Sequence, residues 1–291
     1  MKKILLLILS VLPVVAAAQS QTEKYAKRYE LLVSKFGPAG IGIETLLDSW
    51  AAVDSTDVDM LVGKFRYYFV KSQSKRVVPK YEKRYLGMEP VLTLKDSAGR
   101  DVSYYEEYFY DDELYGESMR SIDKAIRWNS NRLDLRLLKA DAYVAYEKGS
   151  PDMALNYLET LSLEASRRSK DWMYDDRKVG KEFFADSMQE YCYEFYTIGT
   201  DNSREAFFKL SETLAELFPE KLDFISNIGT YHLLKKDFKL ALKWYSKVLK
   251  KSPENYIAIK NSLIAARQSG NAKAVKKYQQ MLDKYNQENS L

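Results

Sequence analysis

The chain has 291 residues, 46% hydrophobic and 30% charged, enough to bury a sizeable core. Its 12 Gly and 7 Pro are too few for a collagen-like, linker-like or turn-rich all-β design. One Cys and one His exclude an intramolecular disulfide, a multi-thiolate zinc site, an iron–sulfur cluster and a His-rich metal centre, while a formal charge of +4 is too weak at this size to imply nucleic acid.

Met1-Lys2-Lys3 precedes an apolar run from Ile4 to Val15 and then Ala16-Ala17-Ala18. This basic, apolar, small-residue order predicts a secretory signal of bacterial style over residues 1–18, leaving residues 19–291 as the mature chain. The run is short of the roughly 20 apolar residues that a spanning helix needs. No Cys follows it, which excludes a lipoprotein anchor. The expected mature chain is exported, periplasmic or extracellular, and without a transmembrane segment.

Gln21 to Lys35 and Ile41 to Ala52 read as a helical hairpin around Gly37-Pro38-Ala39-Gly40. That glycine-rich turn follows a helical pattern rather than a strand, so cap and turn chemistry accounts for it better than a phosphate cradle. Asp54 to Asp59 lacks the glycine and the closing glutamate of a calcium loop, and Asp57 is expected to N-cap a helix starting at Val58. Residues 73–110 break the helical rhythm and read as an insertion within the second helical pair. Val91 to Leu94 and Asp101 to Tyr105 alternate around Lys95 to Arg100, which predicts a small β-hairpin. A basic run (Lys71, Lys75, Arg76, Lys80, Lys83, Arg84) opens this segment. Residues 101–119 at its far end carry seven acids, six aromatics and no basic residue, and the two ends are expected to pair.

Ala125-Ile126 reads as the end of a second helix, and a further helical unit starts near Leu135. Arg167 to Gly180 is charged and reads as a long loop. Lys181 to Thr197 and Ala206 to Pro219 form another pair, within which Cys192 is expected to act as a small core hydrophobe. Leu222 to Leu234 leads through Lys235-Lys236-Asp237 into the clearest amphipathic stripe of the chain: Phe238, Ala241, Leu242, Tyr245, Val248 and Leu249, with lysines opposite. A last pair starts near Tyr256 and turns at Gly270-Asn271, which makes six helical pairs in all. The segment 235–291 has 13 Lys/Arg against four Asp/Glu, and most of these bases fall on helix faces away from the apolar stripe, as expected of a solvated surface.

Numbered as a 34-residue unit from Leu222, Gly229 falls at position 8, Phe238 at 17, Ala241 at 20, Tyr245 at 24 and Pro253 at 32. This pattern of small, aromatic, small, aromatic and proline residues resembles the tetratricopeptide repeat. The unit from Leu135 is similar, with Leu138, Ala142, Gly149, Ala154 and Leu158 at positions 4, 8, 15, 20 and 24. The resemblance implies an all-α, right-handed solenoid of antiparallel helix pairs, interrupted by the insertion over 73–110. It further implies binding of a protein or peptide along the concave face lined by each first helix. Positions 2, 5 and 9 of the unit from Leu135 are Arg136, Lys139 and Tyr143; those of the unit from Leu222 are Asp223, Ser226 and Thr230. The Lys/Asn pairing with which some relatives clamp a terminal carboxylate is not reproduced.

No catalytic constellation assembles: there is no G-x-S-x-G elbow and no Walker A loop. His232 falls at a core-lining repeat position, which predicts a packed, hydrogen-bonded imidazole. The expectation is a non-enzymatic interaction protein with no cofactor and no metal. An alternative is a glycan- or substrate-binding protein that uses Tyr104, Tyr105 and Tyr108 of the insertion as an exposed aromatic surface. A hydrolase with buried carboxylates ranks behind both.

Overall fold

A computed structural model describes residues 21–289. The expected signal peptide lies outside them. Twelve helices occur among the described residues, in six adjacent pairs. Helix α1 covers residues 21–36, followed by α2 (Ile43–Val53) and α3 (Val58–Ser72). As the sequence predicts, Asp57 caps α3, accepting from the amides of Asp59 at 2.9 Å and Met60 at 3.0 Å. Three strands follow, β1 (Gln73–Lys80), β2 (Leu92–Lys95) and β3 (Asp101–Tyr110), and then α4 (Asp112–Trp128), α5 (Leu133–Glu147) and α6 (Asp152–Arg167). A short hairpin, β4 (Trp172–Tyr174) and β5 (Arg177–Val179), leads to α7 (Lys181–Ile198), α8 (Asp201–Leu217), α9 (Leu222–Leu234), α10 (Phe238–Lys251), α11 (Tyr256–Gln268) and α12 (Ala272–Glu288).

The described chain divides into two compact units, one of residues 21–83, 90–142 and 172–178, the other of 84–89, 143–171 and 179–289. In the first, α3 packs along α4 although the sheet separates them in sequence. The Asp111 amide donates to the Ser72 carbonyl at 2.8 Å, closing the base of the sheet where the chain leaves α3 and re-enters α4. Ile43, Leu47, Met60, Phe65 and Ile122 are fully buried between these helices.

The sheet has the order β1-β3-β2 and is antiparallel throughout. The expected hairpin is present, with Leu92 opposite Tyr104 and Lys95 opposite Asp101. The sequence did not disclose β1, which pairs with β3 from Gln73–Tyr110 to Lys80–Ser103. Its charges and Pro79 hide the alternation, and proline is tolerated there because β1 is an edge strand. The basic and acidic ends meet across this pairing: Lys75 Nζ lies 2.5 Å from Glu106, and the Arg76 guanidinium sits 4.8 Å from the centre of the Phe109 ring.

Residues 167–180, expected as a loop, instead contain the β4–β5 hairpin. Asp175 and Asp176 both take positive φ, 46° and 63°, and so supply the two-residue turn usually built with Asn-Gly. Three-residue strands are too short for an alternating pattern to register.

The second unit follows the tetratricopeptide-like plan of an all-α array. Each of α8 to α12 packs on its predecessor, and the first helices α7, α9 and α11 also touch in succession. The α9–α10 joint shows why the spacing matters. A Cβ at Gly229 would stand 2.8 Å from the Tyr245 ring, and both Tyr245 and Ala241 are fully buried. The Tyr245 and Thr230 hydroxyls share a hydrogen bond at 3.1 Å, and burial pushes the Tyr245 phenol up to about 12. Cys192 is a buried free thiol, pushed by burial to about 12, with the Ser211 hydroxyl donating to it at 3.6 Å. His232 packs edge-on against Phe208 and Tyr231, and burial holds its pKa below the ordinary imidazole value. Cys192 sits in the packing role its sequence position suggests; His232 is packed but half-buried, and the expected hydrogen bond to its imidazole is not present among the described residues.

Candidate ligand-binding cleft

Within the first unit, the first helices of three successive pairs, α1, α3 and α5, line a cleft of about 450 Å³. Its floor is aromatic. Trp50 of α2 is 1% exposed and Tyr29 of α1 is 9% exposed, meeting edge to face with ring centres 6.4 Å apart. Tyr25 stacks on the same indole at 6.2 Å. The approach depends on Gly63 of α3, where a Cβ would lie 2.7 Å from the Leu47 side chain and 3.3 Å from the Tyr29 ring. The Tyr29 hydroxyl and Trp50 Nε1 are buried, and neither hydrogen-bonds any group among the described residues. A buried polar group left in that state costs about 1–3 kcal/mol, so it marks a place where packing did not decide the residue type.

The walls are charged. Glu30 comes from α1, Asp59 and Arg66 from α3, Arg132 from the residue before α5, Asp134 and Asp141 from α5, and Asp175 from the β4–β5 turn. Five carboxylates thus face two guanidiniums. Arg132 is committed to Asp134 through a two-pronged contact, Nε to Oδ1 at 2.8 Å and Nη2 to Oδ2 at 2.6 Å, which raises its pKa further. Asp59 is open to solvent, yet the crowding around it holds its carboxyl above the ordinary value. Desolvation is the largest cause, followed by the negative charges of Asp57, Asp176 and Glu30, with Arg132 acting in opposition. Burial likewise raises the Tyr29 phenol, against the charge of Arg66.

The face of α5 turned to this cleft is opposite to the expected one. Asp134, Leu137, Leu138 and Asp141 line it. Arg136, Lys139 and Tyr143 lie on the other side of the helix. The Arg136 guanidinium sits 5.1 Å from the centre of the Trp172 ring and donates to the Ser130 carbonyl at 3.0 Å. Lys139 Nζ is paired with Asp123 at 2.5 Å, with only 12% of its side chain exposed. Tyr143 packs edge-on against Tyr157. Starting the repeat numbering at Leu133, two residues earlier, puts positions 2, 5 and 9 at Asp134, Leu137 and Asp141. Ala140 and Ala142 are both fully buried, so either could stand as the small residue at position 8, and the residues lining the cleft fit the numbering from Leu133. In α9, Ser226 is buried and Thr230 is engaged with Tyr245.

The tyrosines of the insertion separate by strand alternation. Tyr105, expected at an exposed surface, is fully buried and donates to the Glu82 carbonyl at 2.7 Å. Tyr104 and Tyr108 lie on the opposite side of β3, half-buried and exposed respectively. Register puts Val77, Leu92 and Leu94 on their side, all exposed, so this face is as much aliphatic as aromatic.

Sequence reasoning passed over Tyr29, Trp50, Asp59 and Asp141. They come from four helices and share no spacing; the one local hint is Gly63, a glycine in the interior of an otherwise regular helix. Among the described residues no cluster of three or more His, Cys, Asp or Glu could hold a metal ion, and no helix is long and apolar enough to cross a membrane.

Comparison with protein-family models and with curated proteins finds no match to this chain. Among solved structures the chain is similar to MamA, with 13% identity over 62% of this chain and 86% of that one and a TM-score of 0.41. It is also similar to YrrB, described as a TPR protein with an unusual peptide-binding site, with 17% identity over 85% and 96% of the two chains and a TM-score of 0.36.

Proposed function

We propose that this chain is an exported, non-catalytic interaction scaffold that docks a protein or peptide segment in the cleft of α1, α3 and α5. The observation that carries the reading is the cleft itself: three first helices present one concave, mixed polar and apolar surface of a volume suited to a few residues of a partner. A non-catalytic role is supported by the state of the strongest candidate reactive groups, since the Cys192 thiol and the His232 imidazole are both packed within the helical array. Export is supported by the order of residues 1–18.

The test is selection of a random peptide library against the full chain, followed by binding of the recovered peptides to Ala26→Trp. Ala26 lines the cleft and is half-buried, so a Trp there fills the cleft from the α1 wall. Recovered peptides should bind the wild type and lose at least about tenfold in affinity for the variant, with its melting temperature unchanged. Equal binding to both proteins would remove the cleft from the proposal. For export, deletion of residues 2–18 should retain the protein in the cytoplasm of a bacterial host; secretion of the truncated chain would overturn that part.

A further inference from the structure

Resting on the reading of the cleft as a docking site, we infer that its occupant presents a single cationic side chain, Lys or Arg, seated among Glu30, Asp59 and Asp141, with neutral residues on either side. The balance of charge points this way, since five carboxylates line the cleft against two guanidiniums, one of which is already held by Asp134. Glu30, Asp59 and Asp141 are all open to solvent and so within reach of a ligand. Glu30 and Asp59 have no ion-pair partner among the described residues. Asp59 is raised first by desolvation and then by Asp57, Asp176 and Glu30, and a cation placed between Glu30 and Asp59 relieves the repulsion of that pair.

Two further features limit what flanks the cation. Arg66, exposed on α3 and also without an ion pair among the described residues, disfavours a second positive charge beside the first and suits a carbonyl oxygen instead. The floor beneath holds two buried donors, Tyr29 Oη and Trp50 Nε1, that no group among the described residues satisfies. A backbone carbonyl of the bound segment is the acceptor they lack. An isolated basic residue in an otherwise neutral, extended stretch meets all of these demands, whereas a polybasic run meets only the first.

The probes are three nonapeptides blocked at both ends, with a central Lys, Gln or Glu in a common Ala/Leu/Ser background. They are titrated against the full chain at low and at high salt. The Lys peptide should bind about tenfold more tightly than the Gln peptide, with the margin shrinking at high salt. The double variant Asp59→Asn/Asp141→Asn should bring the Lys and Gln peptides within about twofold of each other. A fourth peptide with three successive Lys should gain nothing over the first.

Equal binding of the Lys and Gln peptides, or a preference for Glu, would overturn the cationic occupant. If that binding were still lost in Ala26→Trp, the cleft would stand as a docking site. Failure of every peptide to bind, or indifference of binding to Ala26→Trp, would overturn the docking reading together with this inference.

Discussion

The same packing device appears in both units and ends differently. In the α9–α10 joint a glycine of a first helix, Gly229, admits the ring of Tyr245; in the first unit, Gly63 of α3 admits the ring of Tyr29. Both tyrosines are buried, but their polar ends are treated differently. The Tyr245 hydroxyl shares a hydrogen bond with Thr230, which also accepts from Asn261 at 3.5 Å. The Tyr29 hydroxyl has no such partner among the described residues. The α9–α10 joint thus satisfies its tyrosine, although the small Ser226 hydroxyl of α9 is buried without a partner among the described residues. The joint at Tyr29 leaves two larger donors, a phenol and an indole N–H, unmet among the described residues, and both lie at the floor of a charged cleft.

The largest effect should come from crowding the two glycines. Gly229→Ala drives a Cβ into a fully buried ring at 2.8 Å, and a ring cannot fold aside, so a loss of roughly 1–3 kcal/mol is expected. Gly63→Ala meets first the tip of Leu47, at 2.7 Å, which can turn; its loss should be smaller, under about 1 kcal/mol. Denaturant unfolding of both variants decides the matter. A larger loss at Gly63 would mean that the first unit is the more tightly packed of the two, and the contrast would collapse.

Removing the hydroxyls sharpens the comparison. Tyr245→Phe breaks a buried hydrogen bond, although Thr230 keeps its bonds to the Ser226 carbonyl and Asn261, and should cost about 0.5–1.5 kcal/mol. Tyr29→Phe removes an oxygen without a hydrogen bond among the described residues and should be neutral or slightly stabilising. Equal losses at the two positions would show that the Tyr29 hydroxyl is satisfied in solution, and its value as a marker of the site would be gone.

How much of this was legible in the sequence follows from how local each feature is. The α9–α10 hairpin was legible because its small and aromatic residues lie on two adjacent helices at fixed spacing, with an unbroken apolar stripe from Phe238 to Leu249. The β2–β3 hairpin was legible from alternation around a turn. Strand β1 was not, since its charges break the alternation and Pro79 argues against a strand, and its pairing with β3 is settled only by the return of the chain into α4. The cleft was hidden for a related reason. Tyr29, Trp50, Asp59 and Asp141 come together through the packing of α1, α2, α3 and α5, and no single helix carries the pattern. On α5, the two buried alanines Ala140 and Ala142 allowed two registers that differ by nearly half a turn of the helix. Burial of the full array, rather than propensity, chose between them.

The smallest effect, and the most specific, concerns Asp59. Its carboxyl is held above the ordinary aspartate value by desolvation and by Asp57, Asp176 and Glu30, with Arg132 only partly compensating. A carboxylate whose folded value is raised opposes folding once the pH exceeds both values, and it has no effect below both, where the two states are equally protonated. Asp59→Asn should therefore melt slightly above the wild type at neutral pH. The gap should narrow as the pH falls through the raised value and close below the ordinary aspartate range. Loss of a favourable acid in the first turn of α3 works against this gain and keeps the expected difference small. The same substitution should weaken binding of the Lys peptide, so that stability and binding move in opposite directions. That opposition is the behaviour of a residue kept for its ligand at some cost to the fold. If Asp59→Asn instead melts below the wild type at pH 7, and by the same margin in acid, the carboxylate serves the helix rather than the cleft, and the contrast between the two joints loses its electrostatic half.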